Sequence, residues 1–340
     1  MNRIVSTWMI IGILWCLFSS CSNQYYVSPE GDDSRSGKSP SKAWKSIDRV
    51  NTHDFEPGEE ILFKGKEIFQ GTVIFTSEDA GTRNQRIMLS SYGEGRAMIR
   101  GSEEEGLRAD SCHYLTIENL EFEGSGRKTG NVSDGVLIRD CDAVILNDLD
   151  THGFQKSGVH LHQCDDATIT GVYAHENGFA GIHVTGTTMR DPEKYDNHNL
   201  YIGYCVAENN PGDPTVLDNH SGNGILAFSV KMGTIEYCEA FNNGWDMPWT
   251  GNGPVGIWKN ERRGTMRNCK IYNNTFDNSK TGGSNIWLYD NYPGYHFRNN
   301  VFVYRGSLVS GGKTLIDEIF GEDPGSNDKF DIGAIELKEQ

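Results

Sequence analysis

The segment IGYCVAENN at Ile202–Asn210 returns as IEYCEAFNN at Ile235–Asn243 and again as MRNCKIYNN at Met266–Asn274. Looser copies of the same pattern start at Ile117, Ile145, Ile169 and Phe297. Successive starts are separated by 24 residues at the shortest, from Ile145 to Ile169, and by 33 residues at the longest, from Ile202 to Ile235. Such a period is typical of solenoids, in which each repeat forms one coil stacked on its neighbour.

A second short apolar segment of alternating character lies between successive copies. It reads GVLIRD at Gly135, GVHLHQ at Gly158, GIHVTG at Gly181, GILAFS at Gly224, VGIWKN at Val255 and NIWLYD at Asn285. Two or three short strands per coil, with period two and few helical windows, predict a single-stranded parallel β-helix of the all-β class.

Asparagine recurs at one place in the coil. Eight residues after their starting positions stand Asn177, Asn210, Asn243 and Asn274. Equivalent positions of successive coils stack at the strand spacing of about 4.8 Å. Asparagine tolerates the left-handed conformation of a tight corner, and stacked amides can bond one another along the axis. The pattern therefore predicts an internal asparagine ladder.

Cysteine recurs in two further columns. The first set stands three residues after the starting positions, at Cys205, Cys238 and Cys269. The second stands four or five residues before them, at Cys112, Cys141 and Cys164. Disulfides between adjacent coils are sterically allowed, but three cysteines in a column leave one unpaired thiol. Buried free thiols are the favoured prediction, with disulfides as the alternative.

The N-terminus has the composition of a secretory signal. Arg3 precedes an apolar run from Trp8 to Phe18, which is too short for a membrane-spanning helix with its flanks. Ser19 and Ser20 then precede Cys21, an order that resembles a bacterial lipobox. We therefore expect lipid attachment at Cys21 and export to the outer membrane or cell surface of a Gram-negative bacterium. Ordinary cleavage nearby is the alternative.

Composition and charge limit the class of partner. The chain has 31 Lys and Arg against 47 Asp and Glu, a formal charge of −16, so it lacks the basic surface expected of a nucleic-acid-binding protein. The membrane is expected as a partner through the lipid anchor alone, and the protein is expected to be a monomer.

The predicted organisation is a signal peptide over residues 1–20 and one β-helix domain over 21–340. Within that domain we expect the cap and first coils at 25–100, the repeats at about 115–305 and a closing segment at 306–340.

Several phrases resemble one known superfamily. The N-terminal ones are YYVSPEGDD, AWKSIDRVN, PGEEILFKGKEIFQG and SSYGEG, and the later ones are HSGNGI and IEYCEAFNNGWDMPWTGNGPVGIW. Together they resemble secreted right-handed parallel β-helix proteins of the pectate-lyase-like superfamily, many of which act in polysaccharide breakdown. The resemblance runs from Tyr25 to about Tyr304 and implies a right-handed coil. It leaves the chemistry open, because the superfamily includes lyases, hydrolases, esterases, epimerases and binding proteins.

Both ends of the solenoid are expected to be covered. The segment Ser41–Val50 predicts a short amphipathic helix with Trp44, Ile47 and Val50 on one side, suited to cap the first coil. Near the C-terminus, DIGAIEL resembles the closing strand of such proteins.

Three aspartates share a spacing. Asp213, Asp246 and Asp277 each stand eleven residues after a starting position, just past the asparagine corner. If the register continues around the corner, neighbouring carboxylates lie about 5 Å apart and require a cation or a shared proton. The set therefore predicts either a Ca²⁺ site or the paired catalytic carboxylates of a glycosidase. In a third interpretation, each aspartate only caps its own turn.

The second strand predicts an outward-facing column on the sheet. The expected members are Leu137, His160, His183, Leu226, Trp258 and Trp287. Imidazoles can move protons and aromatic rings stack on sugars, so His160 and His183 are candidate catalytic residues. The candidate substrate-binding residues are Trp245, Trp249, Trp258, Trp287 and Tyr289. Covered aromatic packing and solvated imidazoles are the alternatives.

The sequence thus predicts an enzyme that acts on a polysaccharide or oligosaccharide. Hydrolysis through Asp213 and Asp246 is the leading hypothesis, with Ca²⁺ as the one candidate cofactor. The first alternative is a β-eliminating lyase of uronate-containing glycans, with a histidine or Lys231 as base. The second is a glycan-binding protein without catalysis.

Overall fold

The computed structural model describes residues 23–128, 130–187, 196–216, 221–227 and 229–246, and beyond them the backbone of short strands between residues 266 and 336. Among these residues, no helix is both long and apolar enough to cross a membrane. The predicted lipid attachment site, Cys21, lies outside them, as do Trp249, Trp258 and Tyr289.

The chain forms short strands almost throughout. The first elements are β1 (Gln24–Val27), a 3₁₀ turn (Pro40–Lys42), α1 (Ile47–Asn51), β2 (Glu60–Lys64), β3 (Ile68–Gln70), β4 (Val73–Phe75), β5 (Ile87–Tyr92), β6 (Ala97–Ser102), β7 (Leu107–Asp110), β8 (Leu115–Gly124), β9 (Val136–Arg139) and β10 (Ile145–His152). The middle elements are β11 (Ser157–His162), β12 (Thr168–Thr170), β13 (Tyr173–His175), β14 (Ala180–Thr185), β15 (Asn197–His198), β16 (Tyr201–Gly203), β17 (Val206–Glu208), β18 (Asn223–Ala227), β19 (Val230–Lys231), β20 (Thr234–Glu236) and β21 (Glu239–Phe241). The last are β22 (Met266–Arg267), β23 (Lys270–Tyr272), β24 (Thr275–Asp277), β25 (Ile286–Trp287), β26 (His296–Arg298), β27 (Val301–Tyr304), β28 (Val309–Ser310) and β29 (Gly333–Glu336).

The strands stack coil upon coil as a parallel β-helix. Sheet A has 18 strands in two columns, and β8 and β10 belong to both columns because each continues through the corner between them. Sheet B has six strands in the order β18-β14-β11-β9-β7-β4, and all of its pairings are parallel. The prediction of an all-β parallel β-helix is confirmed.

The core lies inside the coil, where inward side chains stack in register. Ile117, Leu146, Ile169, Ile202 and Ile235 pair in succession and are completely buried. Val136, Val159, Ile182 and Ile225 do the same on sheet B. One sequence assignment was wrong by one residue, since Leu146 and not Ile145 occupies the first of these columns. The alternating pattern fits either residue, but the tight corner at Asp148, with a φ of 52°, sets the register.

The asparagine ladder is confirmed for three of its four predicted members. The Asn177 backbone N–H and side-chain amide donate to Oδ1 of Asn210 at 3.1 and 3.2 Å, and the same two groups of Asn210 donate to Oδ1 of Asn243 at 3.0 and 2.9 Å. All three side chains are completely buried.

Five cysteines of the two predicted columns, Cys112, Cys141, Cys164, Cys205 and Cys238, are buried free thiols.

The third copy of the repeat has a different register from the predicted one. Ile271, not Met266, pairs with Ile235, and Met266 pairs instead with Val230 in the preceding strand column. The coil therefore reaches its starting position five residues later than the sequence suggested. As a consequence Asp277 pairs with Phe241, and it is not the counterpart of Asp246. Asn274 and Cys269 lie outside the described residues, and the spacing that predicted their places in the two columns no longer applies.

The ends agree with the prediction in part. The cap helix is shorter than predicted: α1 begins at Ile47, where the Ser46 side chain accepts a hydrogen bond from the Arg49 N–H. Trp44 lies before the helix in a bridge to Val27, yet Trp44, Ile47 and Val50 are all buried as expected. At the other end β29 pairs in parallel with β27, as expected for a closing strand.

Candidate functional site

Sheet B presents the predicted column on its outer face. Leu137, His160, His183 and Leu226 pair in succession across β9, β11, β14 and β18. The imidazole rings of His160 and His183 stack with centroids 4.4 Å apart and planes 18° from parallel. Trp287, the predicted end of the column, lies on β25 opposite Ser310. The structure therefore confirms the histidine end of this column.

An aspartate that the sequence analysis missed orients His160. Nδ1 of His160 lies 2.9 Å from Oδ2 of Asp134, whose Oδ1 accepts the Ser157 backbone N–H at 2.8 Å. An ionised carboxylate accepts from Nδ1–H, which leaves the lone pair on Nε2 in the neutral ring. That Nε2 atom is shielded from solvent and has no hydrogen-bond partner among the described residues. The sequence signal that could have identified Asp134 is its position: it immediately precedes Gly135, the first residue of the apolar segment GVLIRD.

The neighbouring histidines are held neutral. Burial, together with the nearby His160 and His162 rings, holds the pKa of His183 well below its usual value. Burial and the charge of His160 also lower the pKa of His162. His183 packs against Phe179 with ring centroids 5.0 Å apart. At neutral pH His183 and His162 are therefore uncharged, whereas the ring of His160 is oriented by the Asp134 carboxylate.

Asp213 lies at the corner between sheets A and B, in an ion pair with the partly exposed Lys156. Its side chain is completely buried, and its Oδ2 accepts from Lys156 Nζ at 2.5 Å. Its Oδ1 caps the local turn by accepting from the Thr215 N–H and hydroxyl at 2.8 and 2.7 Å. Lys156 directly precedes β11, so this pair attaches the corner loop to the strand that carries His160. Asp213 is thus a positioning residue, out of reach of a ligand.

Asp246 lies at the same corner and is partly exposed. Its carboxylate contacts the Arg127 guanidinium and lies 2.5 Å from Lys128 Nζ. Arg127 also donates to the Gly212 carbonyl at 2.7 Å, which connects the two corner loops. The Lys128 hydrogen bond and then that of Arg127 lower the pKa of Asp246, so the group stays ionised. The neighbouring Trp245 is 57% exposed, as a sugar-stacking residue would be.

The predicted ladder of three carboxylates does not form. Asp277 is out of register, and Asp213 and Asp246 each have their own basic partners. Lys156, Arg127 and Lys128 supply the positive charge that a shared Ca²⁺ ion would otherwise provide, so these carboxylates do not fit a common calcium site. Asp213 caps a turn, as the third interpretation expected, whereas Asp246 remains available at the surface.

The coil and its repeats match known proteins. A family model described as "Right handed beta helix region" matches residues 96–317. The lacto-N-biosidase of Bifidobacterium longum subsp. longum is 27% identical in an alignment of 233 residues that covers 62% of this chain and 13% of that enzyme. The chain thus spans about an eighth of the length of this curated relative.

Two solved structures align with the chain, and one of them reaches a TM-score above 0.5. A rhamnogalacturonan lyase aligns with a TM-score of 0.51 at 15% identity, covering 83% of this chain and 74% of the lyase. A lacto-N-biosidase from Eubacterium ramulus aligns with a TM-score of 0.49 at 17% identity, covering 84% of this chain and 65% of that enzyme. At such identities the likeness to the lyase concerns the fold alone.

Proposed function

We propose, from the premise that the chain belongs to the right-handed β-helix family, that it cleaves a glycan by hydrolysis at the corner beside sheet B. The observation that carries the proposal is the ionised, partly exposed carboxylate of Asp246 beside the exposed ring of Trp245. The similarity to a lacto-N-biosidase over 62% of this chain supports it, because that name denotes a glycosidase.

The environment of Asp246 suits one of the two carboxyl roles in glycoside hydrolysis. One group must be ionised, to attack the sugar or to activate water, while the other donates a proton. The hydrogen bonds from Lys128 and Arg127 hold Asp246 in the ionised form. Trp245 would bind a sugar face, since pyranose faces are apolar and stack on indole rings. Asp213 would contribute by holding Lys156.

A β-eliminating lyase is the second candidate, and one observation favours it. Asp134 holds Nδ1 of His160, which leaves Nε2 to act as a general base once the surrounding side chains move aside, because that atom is shielded from solvent in this structure. Lys231, the other base considered, lies on β19 in the separate three-stranded sheet β15-β19-β22. If elimination occurs, His160 is therefore the base to expect.

The nature of the products decides between these candidates. Hydrolysis of a neutral or uronate-containing glycan should yield new reducing ends without ultraviolet absorption, whereas elimination yields an unsaturated product that absorbs in the ultraviolet. We expect reducing ends alone when both types of glycan are screened with both readouts. Absorbing products would replace the hydrolase by the lyase. Retention of glycans in affinity electrophoresis without any cleavage would support the glycan-binding alternative.

We further propose that the protein works outside the cytoplasm, anchored by a lipid on Cys21. The basis is the apolar run and the two serines before this cysteine. Cys21→Ala should move the protein from the membrane fraction to the soluble fraction, while Cys16→Ala, inside the signal, should not. An unmodified N-terminus at another residue, seen by mass spectrometry of the wild type, would contradict lipidation.

A further inference from the structure

Two histidines and an aspartate converge on the outer face of sheet A, on a different sheet from the candidate site. Asp150 and His152 point outward from β10, and His175 points outward from the next coil on β13, where it pairs with His152. One ligand atom from each residue lies within 4.8 Å of the other two. Each side chain is about one-fifth exposed, so the cluster is neither fully solvated nor buried in the core.

Each imidazole already faces a carboxylate. Nε2 of His175 lies 3.1 Å from Oδ1 of Asp150, and Nε2 of His152 lies 3.1 Å from Oε1 of Glu121 on β8. The two rings stack with centroids 4.8 Å apart and planes 16° from parallel. The strand register sets these distances, because outward residues two apart on one strand and opposite on the next are close neighbours.

We propose that this cluster binds one divalent transition-metal ion, with Zn²⁺ as the best match to its donors. His152, His175 and Asp150 would be the three protein ligands, and water would complete the coordination, as it does at open zinc sites. Two imidazoles with carboxylates form a typical zinc donor set, whereas Ca²⁺ and Mg²⁺ prefer oxygen alone. Each ring would bind in the neutral form through Nε2, with its one proton on Nδ1, and a ring protonated on both nitrogens would release one proton to solvent on binding.

The surroundings are consistent with such a site. The Arg96 guanidinium lies 4.0 Å from Oδ2 of Asp150, which leaves Oδ1 directed toward His175. The ring of His175 stacks on both Tyr173 and His152, so it must turn out of these stacks to share an ion with His152. Because the ligands come from β10 and β13, one ion would link two successive coils. Metal binding to the folded chain should then stabilise the solenoid against unfolding.

The test uses the untagged chain, freed of metal by chelator and titrated with ZnCl₂ at neutral pH by isothermal titration calorimetry. We expect one Zn²⁺ per chain and a rise in Tm on binding. His175→Gln and His152→Gln should each weaken binding at least about tenfold, since even outer-shell changes cost 10–100-fold in affinity. His113→Gln, an exposed histidine on another part of the coil, is the matched control and should bind Zn²⁺ as the wild type does.

Co²⁺ provides an independent readout. The wild type should show visible d–d absorption bands on Co²⁺ addition, and His175→Gln should reduce them while its metal-free circular dichroism and Tm stay unchanged. The proposal fails if the wild type takes up no Zn²⁺ at micromolar concentration, or if both glutamine variants bind as tightly as the wild type. Should a variant not fold, the stoichiometry and Co²⁺ bands of the wild type decide the outcome.

Discussion

Asn210→Ala should lower the free energy of unfolding by about 3 kcal/mol, because it leaves several buried polar groups without partners. The Asn210 amide donates to the Ala174 carbonyl at 3.1 Å and to Oδ1 of Asn243 at 2.9 Å. Its own Oδ1 accepts the backbone N–H and side-chain amide of Asn177 at 3.1 and 3.2 Å. Each unsatisfied buried group costs about 1–3 kcal/mol, and the Asn210 side chain is completely buried.

Equilibrium denaturation followed by circular dichroism and by tryptophan fluorescence measures this change. Both probes are needed, because repeat arrays can unfold in more than one step. Asn84→Ala is the matched control: Asn84 is exposed in a short turn, so its loss should shift stability by less than about 0.5 kcal/mol. If Asn210→Ala were as mild as this control, the ladder would contribute little to holding the coils together.

The fold could be predicted where the strands and corners of successive coils fall at the same positions in the repeat. Ile202 and Ile235 were aligned correctly because their two coils have matching strands and corners, so the repeat is visible in the letters. The alignment was wrong at Met266, where the true partner of Ile235 is Ile271. Two overlapping alternating patterns lie five residues apart there, and a period-two pattern cannot tell which of them pairs. Sheet register, a long-range property, decides between them.

The candidate site was predictable only in part, and for a related reason. The stacking of His160 on His183 follows from strand alternation, which the letters contain. The pairing of Arg127 with Asp246 joins residues 119 positions apart, and Lys156 with Asp213 joins residues 57 apart. No local pattern links such partners, so the sequence suggested a carboxylate ladder where the structure has two ion pairs with basic residues from other coils.

Asp246→Asn should reduce glycan cleavage at least about a hundredfold, the usual scale for the loss of a catalytic acid or base. The amide keeps the shape of the side chain but cannot carry the negative charge that Lys128 and Arg127 hold in place. Glycan affinity should change by less than about threefold, under roughly 1 kcal/mol, because Trp245 and the surrounding surface remain. Trp245→Ala should have the complementary effect, weakening affinity by removing the exposed ring. Cleavage rates and affinity electrophoresis on the same glycan measure both effects.

Asp166→Asn is the matched control for the change of charge. Asp166 is an exposed carboxylate on another corner of the coil, where it accepts from the Asn199 amide at 2.8 Å, and its loss should leave cleavage unchanged. The pH dependence gives a second check. Because the pKa of Asp246 is lowered by its basic neighbours, its charge persists as pH falls through the ordinary aspartate range and is lost only below it. Wild-type activity should therefore not decline on account of this group until pH falls below that range. If Asp246→Asn cleaves as fast as Asp166→Asn, then Asp246 serves only to hold Arg127 and Lys128 at the corner, and the hydrolytic proposal for this residue is wrong.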